Sequence, residues 1–490
     1  MKKYFVFLLL NFSVAGNLFA QKEDRNWVFG DSCGINFNNL TNPFFVFNHS
    51  SNNEACASIS DKNGNRIFNI SIQSEFGPIP FGRIINKDGN EIESGDSLNF
   101  YFSSTNGSLF LPFPNDTTMY YCFYLSYNSF CDSNQVLYYS VIDKTLDSGR
   151  GKVINKNVYV LDSLTEKLLA IKHANGRDWW LLTRKFNSDT IIKFLISPSG
   201  ISEPLCQEFG SRFYTYLGEN AVSKDGGRIC YVSYWGNIDL YDFDRCSGTL
   251  SNYVELGTPP YDYPDTASGY FYYGCAFSPD ANRLYVGRFD DSPAISDITQ
   301  FTINEGLISS TKILDSAPSM LLSQFELASD DKIYISGMAS PGTIDSSYKY
   351  LSVIENPNDS GLACNLNLFS FYLNGYNSSY GLPNMPNYNL SALDGTACDT
   401  LGLAIQNENL KTKSIVSIFP NPATNEIKIT NLSPSENQIS LFNLLGQQVK
   451  SIRVSNVQST ILPVADLPAG MYVVTIFDGE KIVCKKFVKE

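Results

Sequence analysis

Apolar and polar positions alternate over short stretches along most of the chain, with Gly, Asn, Asp and Pro gathered between them. A period of two, interrupted by turn residues, predicts β-strands joined by tight turns rather than amphipathic helices. The clearest unit is Asn220-Ala-Val-Ser-Lys-Asp-Gly-Gly-Arg-Ile-Cys-Tyr-Val-Ser233. It returns as Gly274-Cys-Ala-Phe-Ser-Pro-Asp-Ala-Asn-Arg-Leu-Tyr-Val-Gly287, and more faintly as Gln324-Phe-Glu-Leu-Ala-Ser-Asp-Asp-Lys-Ile-Tyr-Ile-Ser336. Each copy reads as an apolar strand, a tight turn, a basic residue and a second strand. A reversal in so few residues requires small and polar side chains that tolerate turn geometry.

The same turn is traceable at Ser60-Asp-Lys-Asn-Gly-Asn-Arg66, Pro114-Asn-Asp-Thr-Thr118 and His173-Ala-Asn-Gly-Arg177. The copies are spaced by roughly fifty to sixty residues, a period that signals a repeat architecture. One further period reaches Ser379-Tyr-Gly-Leu-Pro-Asn384. Second strand pairs follow several copies, as in Ile238-Asp-Leu-Tyr-Asp-Phe243 and then Leu250 to Val254. Four strands per unit, set radially, is how a β-propeller avoids exposed sheet edges. The expected fold is therefore all-β, with a seven-bladed propeller over residues 21–390. Its closing blade takes inner strands near Tyr380 and outer strands from Trp27-Val-Phe-Gly30 and Gly34-Ile-Asn-Phe37. A β-helix would repeat over shorter spans, and an array of sandwiches would not set the same turn at the same place in each unit. Periodicity fades over 391–413, which reads as a linker. Residues 414–490 resume alternation at Ile427-Lys-Ile-Thr430, Ile439-Ser-Leu-Phe-Asn443 and Met471-Tyr-Val-Val-Thr-Ile476, predicting a small Ig-like antiparallel β-sandwich.

Composition supports this reading. Aromatics make up 14% of the 490 residues and charged residues only 17%, a balance that suits pleated, half-buried surfaces. The start, Met1-Lys-Lys-Tyr-Phe-Val-Phe-Leu-Leu-Leu10, has the basic and apolar regions of a secretory signal peptide, with cleavage expected after Ala20. No integral membrane span is expected beyond it. The formal charge of −13 becomes −15 once Lys2 and Lys3 are lost, which disfavours nucleic acid as a partner. None of the eleven cysteines forms a Cys-x-x-Cys pair, so no zinc site is expected. Export predicts disulfides instead, with Cys122–Cys131 as the first pair and Cys230–Cys246 and Cys33–Cys56 as further ones.

The tail resembles the C-terminal sorting domain of type IX secretion substrates of Bacteroidota. The matching blocks are Phe419-Pro-Asn-Pro-Ala423, Leu441-Phe-Asn-Leu-Leu-Gly446, Leu467-Pro-Ala-Gly-Met-Tyr-Val-Val474 and Lys485-Lys-Phe-Val-Lys-Glu490. Carried onto this chain, the signal residues are Pro420, Asn421, Pro422, Gly446, Gly470, Lys485 and Lys486. The resemblance implies the type IX machinery and its sortase as partners, with removal of the tail and release or surface attachment of the rest. The body resembles secreted propeller-like proteins of the same bacteria through Trp27-Val-Phe-Gly30, Lys172-His-Ala-Asn-Gly176, Phe277-Ser-Pro-Asp280, Leu351-Ser-Val-Ile-Glu-Asn-Pro-Asn358 and Tyr380-Gly-Leu-Pro-Asn384. That implies a fold and a secreted or outer-surface location, not a reaction.

Catalytic chemistry finds little support. Gly30-Asp-Ser-Cys-Gly34 fits a G-x-S-x-G pattern, but a serine nucleophile needs a strand-to-helix turn and a positioned base. The chain holds two histidines, His49 and His173, and His173 occupies a repeat turn. Asp61-Lys-Asn-Gly-Asn65 has partial calcium-loop spacing without the acidic twelfth position, and reads first as a hairpin. No catalytic residue, metal ligand or cofactor is assigned. If the repeat turn joins the first and second strands, the opposite end of the ring collects the other loops. These carry Arg184, Phe186, Tyr234, Trp235, Tyr261, Tyr263, Arg288, Asp290 and Asp291, charged and aromatic groups suited to a glycan or protein ligand. Packing between blades is the alternative for each. The expected function is a non-catalytic binding or adhesion module, with a glycan-active hydrolase using a carboxylate pair as the rival.

Overall fold

The computed structural model describes residues 21–74, 81–127, 135–257, 270–291, 294–304, 307–318, 320–339, 347–399, 417–430, 432, 437–443, 447–477 and 482–490. The chain divides into two compact units, residues 1–401 and 402–490.

Unit one is a succession of antiparallel sheets. β1 (Asn26–Phe29), β2 (Cys33–Asn36) and β3 (Phe44–Phe45) form the first, and β4 (Ser58–Ser60), β5 (Arg66–Ser74) and β6 (Phe81–Asn86) the second. β7 (Ser108–Phe113), β8 (Asp116–Tyr127), β9 (Gln135–Asp143), β10 (Lys152–Lys172), β11 (Trp179–Lys185), β12 (Ser188–Ser197), β13 (Gly200–Ile201) and β14 (Leu205–Phe213) share one sheet. That sheet is two blades joined by β10. The first part of β10 pairs with β9 as an outer strand, and the part from Leu164 onward pairs with β11 as an inner one. Three four-stranded blades follow in simple order. They are β15 (Asn220–Val222) to β18 (Thr249–Gly257) with β16 (Arg228–Val232) and β17 (Ile238–Asp244) between; β19 (Tyr270–Phe277), β20 (Arg283–Asp291), β21 (Ala294–Asn304) and β22 (Leu307–Pro318); and β23 (Met320–Leu327), β24 (Ile333–Ala339), β25 (Tyr350–Ile354) and β26 (Leu366–Tyr372).

The inner strands β4, β7, β10, β15, β19 and β23 lie side by side in chain order. Residues 377–384 complete the circuit. Asp31 N donates to Asn377 O (2.9 Å), Leu382 N to Gln324 Oε1 (2.6 Å) and Asn384 N to Cys56 O (3.0 Å). A closed circuit of radial antiparallel sheets is a β-propeller, as the repeat predicts.

The repeat turn joins inner and second strands; the Pro114–Thr118 copy differs, since Phe113 pairs with Asp116 and leaves a two-residue loop with Asn115 at positive φ, while the other copies share one chemistry. Gly64, Gly176, Gly226, Ala281 and Asp331 all have positive φ. Each donates its N–H to the carbonyl three residues back, at 2.8–3.0 Å. These three- and four-residue hairpin loops each need a left-handed residue, and glycine supplies it without a Cβ clash. Polar side chains lock the loop: Asp225 Oδ1 accepts from Gly227 N (2.9 Å) and Asp280 Oδ1 from Asn282 N (3.0 Å). His173 serves the same purpose. Its Nδ1 accepts from Asn175 N and its Nε2 donates to Cys246 O, both at 3.0 Å. Asp61 likewise accepts from Asn63 N (2.8 Å) and Asn65 N (2.9 Å).

Second strands are buried on both faces between neighbouring blades, so β16 buries Ile229, Cys230, Tyr231 and Val232 together. Outer strands such as β18 are mostly solvated. This is why apolar runs after each turn are continuous while the following strands alternate faintly. Each fully buried large side chain in this packing contributes about 1.5–3 kcal/mol.

The disulfide predictions need correction. Cys246 bonds Cys398, 152 residues away, and Cys230 remains a buried thiol. The ladder explains this: Cys230 faces Leu240, and Cys246 lies six residues further along, past the end of β17. At ~3.3 Å per residue that places the two sulfurs far beyond bonding reach. Cys122, in mid-β8 between Phe110 and Ser140, is also a buried thiol, and Cys131 lies outside the described residues. Cys33 and Cys56 are buried thiols as well.

Unit two contains β27 (Ser417–Phe419), β28 (Glu426–Thr430), β29 (Asn437–Phe442), β30 (Gln448–Val454), β31 (Ser459–Pro463), β32 (Gly470–Phe477) and β33 (Ile482–Lys489). Sheets β27-β28-β31 and β30-β29-β32-β33 bury Ile427, Ile429, Leu462, Ile439, Leu441 and Phe487 in one core, the arrangement of a small β-sandwich.

Candidate functional site

At the end of the propeller axis opposite the repeat turns, the residues that lead into the inner strands bring polar groups together. Thr105 Oγ1 lies 3.0 Å from Glu54 Oε1, 3.0 Å from Glu166 Oε2 and 3.1 Å from Tyr273 OH. Glu54 and Thr105 precede β4 and β7, Glu166 lies in the inner part of β10 and Tyr273 on β19, so the contacts reach across the ring. Thr105 N also donates to Glu166 Oε2 (3.0 Å), and Ser103 Oγ to Glu54 Oε2 (2.8 Å). A hydroxyl carries one proton and cannot donate to two carboxylates at once. Burial pushes both carboxyls up, and for Glu166 the neighbouring Glu54 adds to the shift. The arrangement is that of two buried carboxyls, both raised by burial, meeting at one hydroxyl.

Glu219 stitches the ring together. Its Oε2 accepts from Cys275 N (2.7 Å) and Phe325 N (3.0 Å), on two neighbouring inner strands. Burial raises it well above the ordinary carboxylate range in spite of these bonds. Lys167, fully buried, donates from Nζ to Gly218 O and is pulled down to about 7 by burial.

Half-exposed aromatics surround this cluster. Tyr101 packs on Phe102 and Tyr127 with ring centroids 5.6 and 5.4 Å apart, and Tyr234 stacks on Phe271 at 4.3 Å. The Tyr101 and Tyr216 phenols are pushed up first by burial and then by Glu166, and Glu166 N donates to Tyr216 O at 3.1 Å. Tyr127 is 38% exposed. The mouth can therefore offer flat apolar faces with phenolic hydroxyls at their edges.

The sequence-predicted face divides. Tyr234 joins the mouth, and Trp235 beside it is half-buried. Arg184 belongs to the core instead. It is fully buried, 3.8 Å over the Phe213 ring and 3.4 Å from Asp239, with Tyr241 OH at 3.3 Å. Its position near the end of β11 faces the next blade, and an internal acidic partner makes that burial tolerable. Arg288 is bound to Asp297 of the adjacent strand and Phe186 is half-buried after β11. Asp290 and Asp291 end β20, and Tyr261 and Tyr263 lie outside the described residues. Ser32 of the G-x-S-x-G stretch sits in the β1–β2 hairpin, where its Oγ contacts Asp31 and Ser50 O rather than a histidine.

Sequence reasoning missed Glu54, Thr105, Glu166, Lys167, Glu219 and Tyr273. A signal was present: Glu54 and Glu166 stand the same distance ahead of the left-handed glycines Gly64 and Gly176. A carboxylate at the head of an apolar inner strand marks an axial position.

In the second unit, the separated sorting blocks meet. Asn421 Oδ1 accepts from Val488 N (2.8 Å), while Ala423 N donates to Val488 O (2.8 Å) and Glu490 N to Ala423 O (2.9 Å). The Pro420-Asn421-Pro422 loop is thus clamped to the terminal strand bearing Lys485 and Lys486. Gly470 opens β32, and Gly446 lies outside the described residues. Residues 417–490 match the secretion system C-terminal sorting domain. This sorting domain makes the protein a secreted or cell-surface one that engages type IX secretion machinery. No helix among the described residues is long and apolar enough to cross a membrane.

No curated protein matches the sequence. Among solved structures, a protein from Lactobacillus plantarum aligns at 12% identity and TM-score 0.47, covering 73% of this chain and 98% of that one. A Bacteroides fragilis protein described provisionally as a 6-phosphogluconolactonase aligns at 14% identity and TM-score 0.44, with the same coverage. The WD40 domain of Toxoplasma gondii coronin aligns at 8% and 0.37, covering 67% of this chain and 71% of that one.

Proposed function

We propose that the exported propeller is a non-catalytic binding module that takes an extracellular glycan at its aromatic mouth. The observation that carries this reading is the convergence of Tyr101, Tyr127 and Tyr216 over the Glu54–Thr105–Glu166 cluster. Aromatic faces accept the apolar side of a pyranose, and phenols with carboxyls below them bind its hydroxyls. The hydrolase reading is less favoured because Glu54 and Glu166 are both buried and engaged by Thr105, which leaves neither turned to a sugar. In this proposal the propeller has seven blades, the last made by β1–β3 with residues 377–383. A signal peptide over 1–20, a linker over 391–413 and a sortase acting on the 414–490 tail complete the scheme.

Glycan arrays followed by calorimetry test it, using Tyr127→Ala and Tyr216→Ala, with Trp235→Ala as a neighbouring probe. The two tyrosine variants are expected to lose at least tenfold in affinity while their melting curves stay within a few degrees of wild type. Undiminished binding by both variants would remove the site from this mouth. Glycan turnover abolished by Glu54→Gln or Glu166→Gln would replace the binding reading with the enzymatic one.

A further inference from the structure

A separate cavity of the propeller lies away from the aromatic mouth. It lies on the axis at the repeat-turn end, with a volume of about 340 Å³. Its walls are the turn-proximal ends of β10, β15, β19 and β23, and two chain segments border it. Asp24 and Arg25 come from the N-terminal side, and residues 384–389 from the end of the propeller. That second segment is tied down where it crosses: Tyr388 OH donates to Phe110 O (2.8 Å), Lys172 Nζ to Tyr388 O (2.9 Å) and Asn387 Nδ2 to Lys224 O (2.6 Å).

The polar groups of this cavity are unevenly matched. Asn220 is 6% exposed, and its Oδ1 accepts no hydrogen bond, although its backbone N is bonded to Asn106 Oδ1. Among the described residues Glu326 has no ion-pair partner. Both cations of the lining are engaged elsewhere: Arg25 with Asp24 (3.6 Å) and Lys224 with Asp331. An unpaired buried acceptor forfeits the hydrogen bonds it makes in water, and a lone carboxyl in such a place favours its neutral form. The cavity thus presents an unfilled acceptor and a carboxyl without a counter-charge, bounded by the apolar Val222, Ala276 and Met385.

We propose that this cavity binds the ammonium group of a small amine, with Asn220 Oδ1 and Glu326 as its acceptors. The ammonium donates hydrogen bonds to both, and its alkyl chain lies against the apolar wall. An anion would meet Asp24 and Glu326, and an uncharged apolar molecule would leave Asn220 unpaired. Burial and nearby Glu219 raise Glu326 well above the ordinary range, and an ammonium beside it favours its ionised form.

Saturation-transfer NMR on the full chain, titrated with n-butylammonium, n-butanol and butyrate, tests the assignment. Butylammonium alone is expected to bind, and Glu326→Gln should weaken it at least tenfold with an unchanged melting curve. Asn220→Leu, which fills the space, should abolish it. Tyr216→Ala should leave it intact, since that residue belongs to the other end of the axis; this separates failure here from failure of the glycan reading. Nα-acetyl-lysine methylamide gives the source: binding points to a peptide-borne ammonium, and its absence beside butylammonium binding points to a free amine. Equal binding of n-butanol, or butylammonium binding that survives Glu326→Gln, overturns the proposal. So does the absence of butylammonium binding at millimolar concentration.

Discussion

Replacing Arg184 by methionine should destabilise the propeller sharply without touching its ligand. Met keeps much of the volume and the contact with Phe213, so the transfer and cavity costs are small. What is lost is the charge opposite Asp239, which is itself fully buried. Removing one member of a buried ion pair costs about 3–5 kcal/mol, because the other charge is stranded. Asp239 still accepts from Ser211 N (3.0 Å) and Tyr241 OH (2.8 Å), so the low end applies, about 3 kcal/mol. At about 2.1 cal/mol/K per residue over roughly 380 residues, that lowers the melting temperature by about 4 °C. The assay is urea denaturation and calorimetry of wild type, Arg184→Met, Asp239→Asn and the double variant. The double variant should be less destabilised than the sum of the singles by more than about 1.5 kcal/mol, since it strands no charge. Additive single effects, or a loss below about 1 kcal/mol for Arg184→Met, would refute the buried-pair account. A glycan affinity that falls with Arg184→Met while stability holds would return this residue to the binding face.

Two further outcomes are expected. Lys167 is held at about 7, so between pH 7 and its unfolded value near 10 the unfolded chain binds a proton that the folded chain does not. Its contribution to stability therefore rises with pH in that window. The stability difference between wild type and Lys167→Met should shift by up to about 1.4 kcal/mol per unit, measured by urea melts from pH 7 to 9; a flat difference would contradict the depressed lysine. Deleting Pro420 to Glu490 should leave the protein in the periplasm by fractionation and immunoblot, and normal surface delivery of the truncation would contradict the role of the sorting domain.

The sequence by itself determined the class of fold and the destination. The recurring turn needs a left-handed residue and short polar side chains, requirements local enough to be read one copy at a time, and Gly64, Gly176 and Gly226 meet them directly. The sorting blocks were legible because each is a contiguous motif, although only the folded tail shows Asn421 clamping Val488. The axial sites were decided by tertiary structure. Glu54, Thr105, Glu166 and Tyr273 meet only because the ring closes, and no local rule links Thr105 to a residue 168 positions away. Arg184 illustrates the converse: its charge suggested a surface, whereas Asp239 from the next blade gave it an interior. Cys246 found Cys398 for the same reason, since the chain beyond residue 390 returns to the fourth blade while the nearer Cys230 faces the core. The repeat turn, which looked like scaffold alone, also frames the axial cavity. Strand alternation fixes which side chains turn inward; closure of the ring fixes which of them meet.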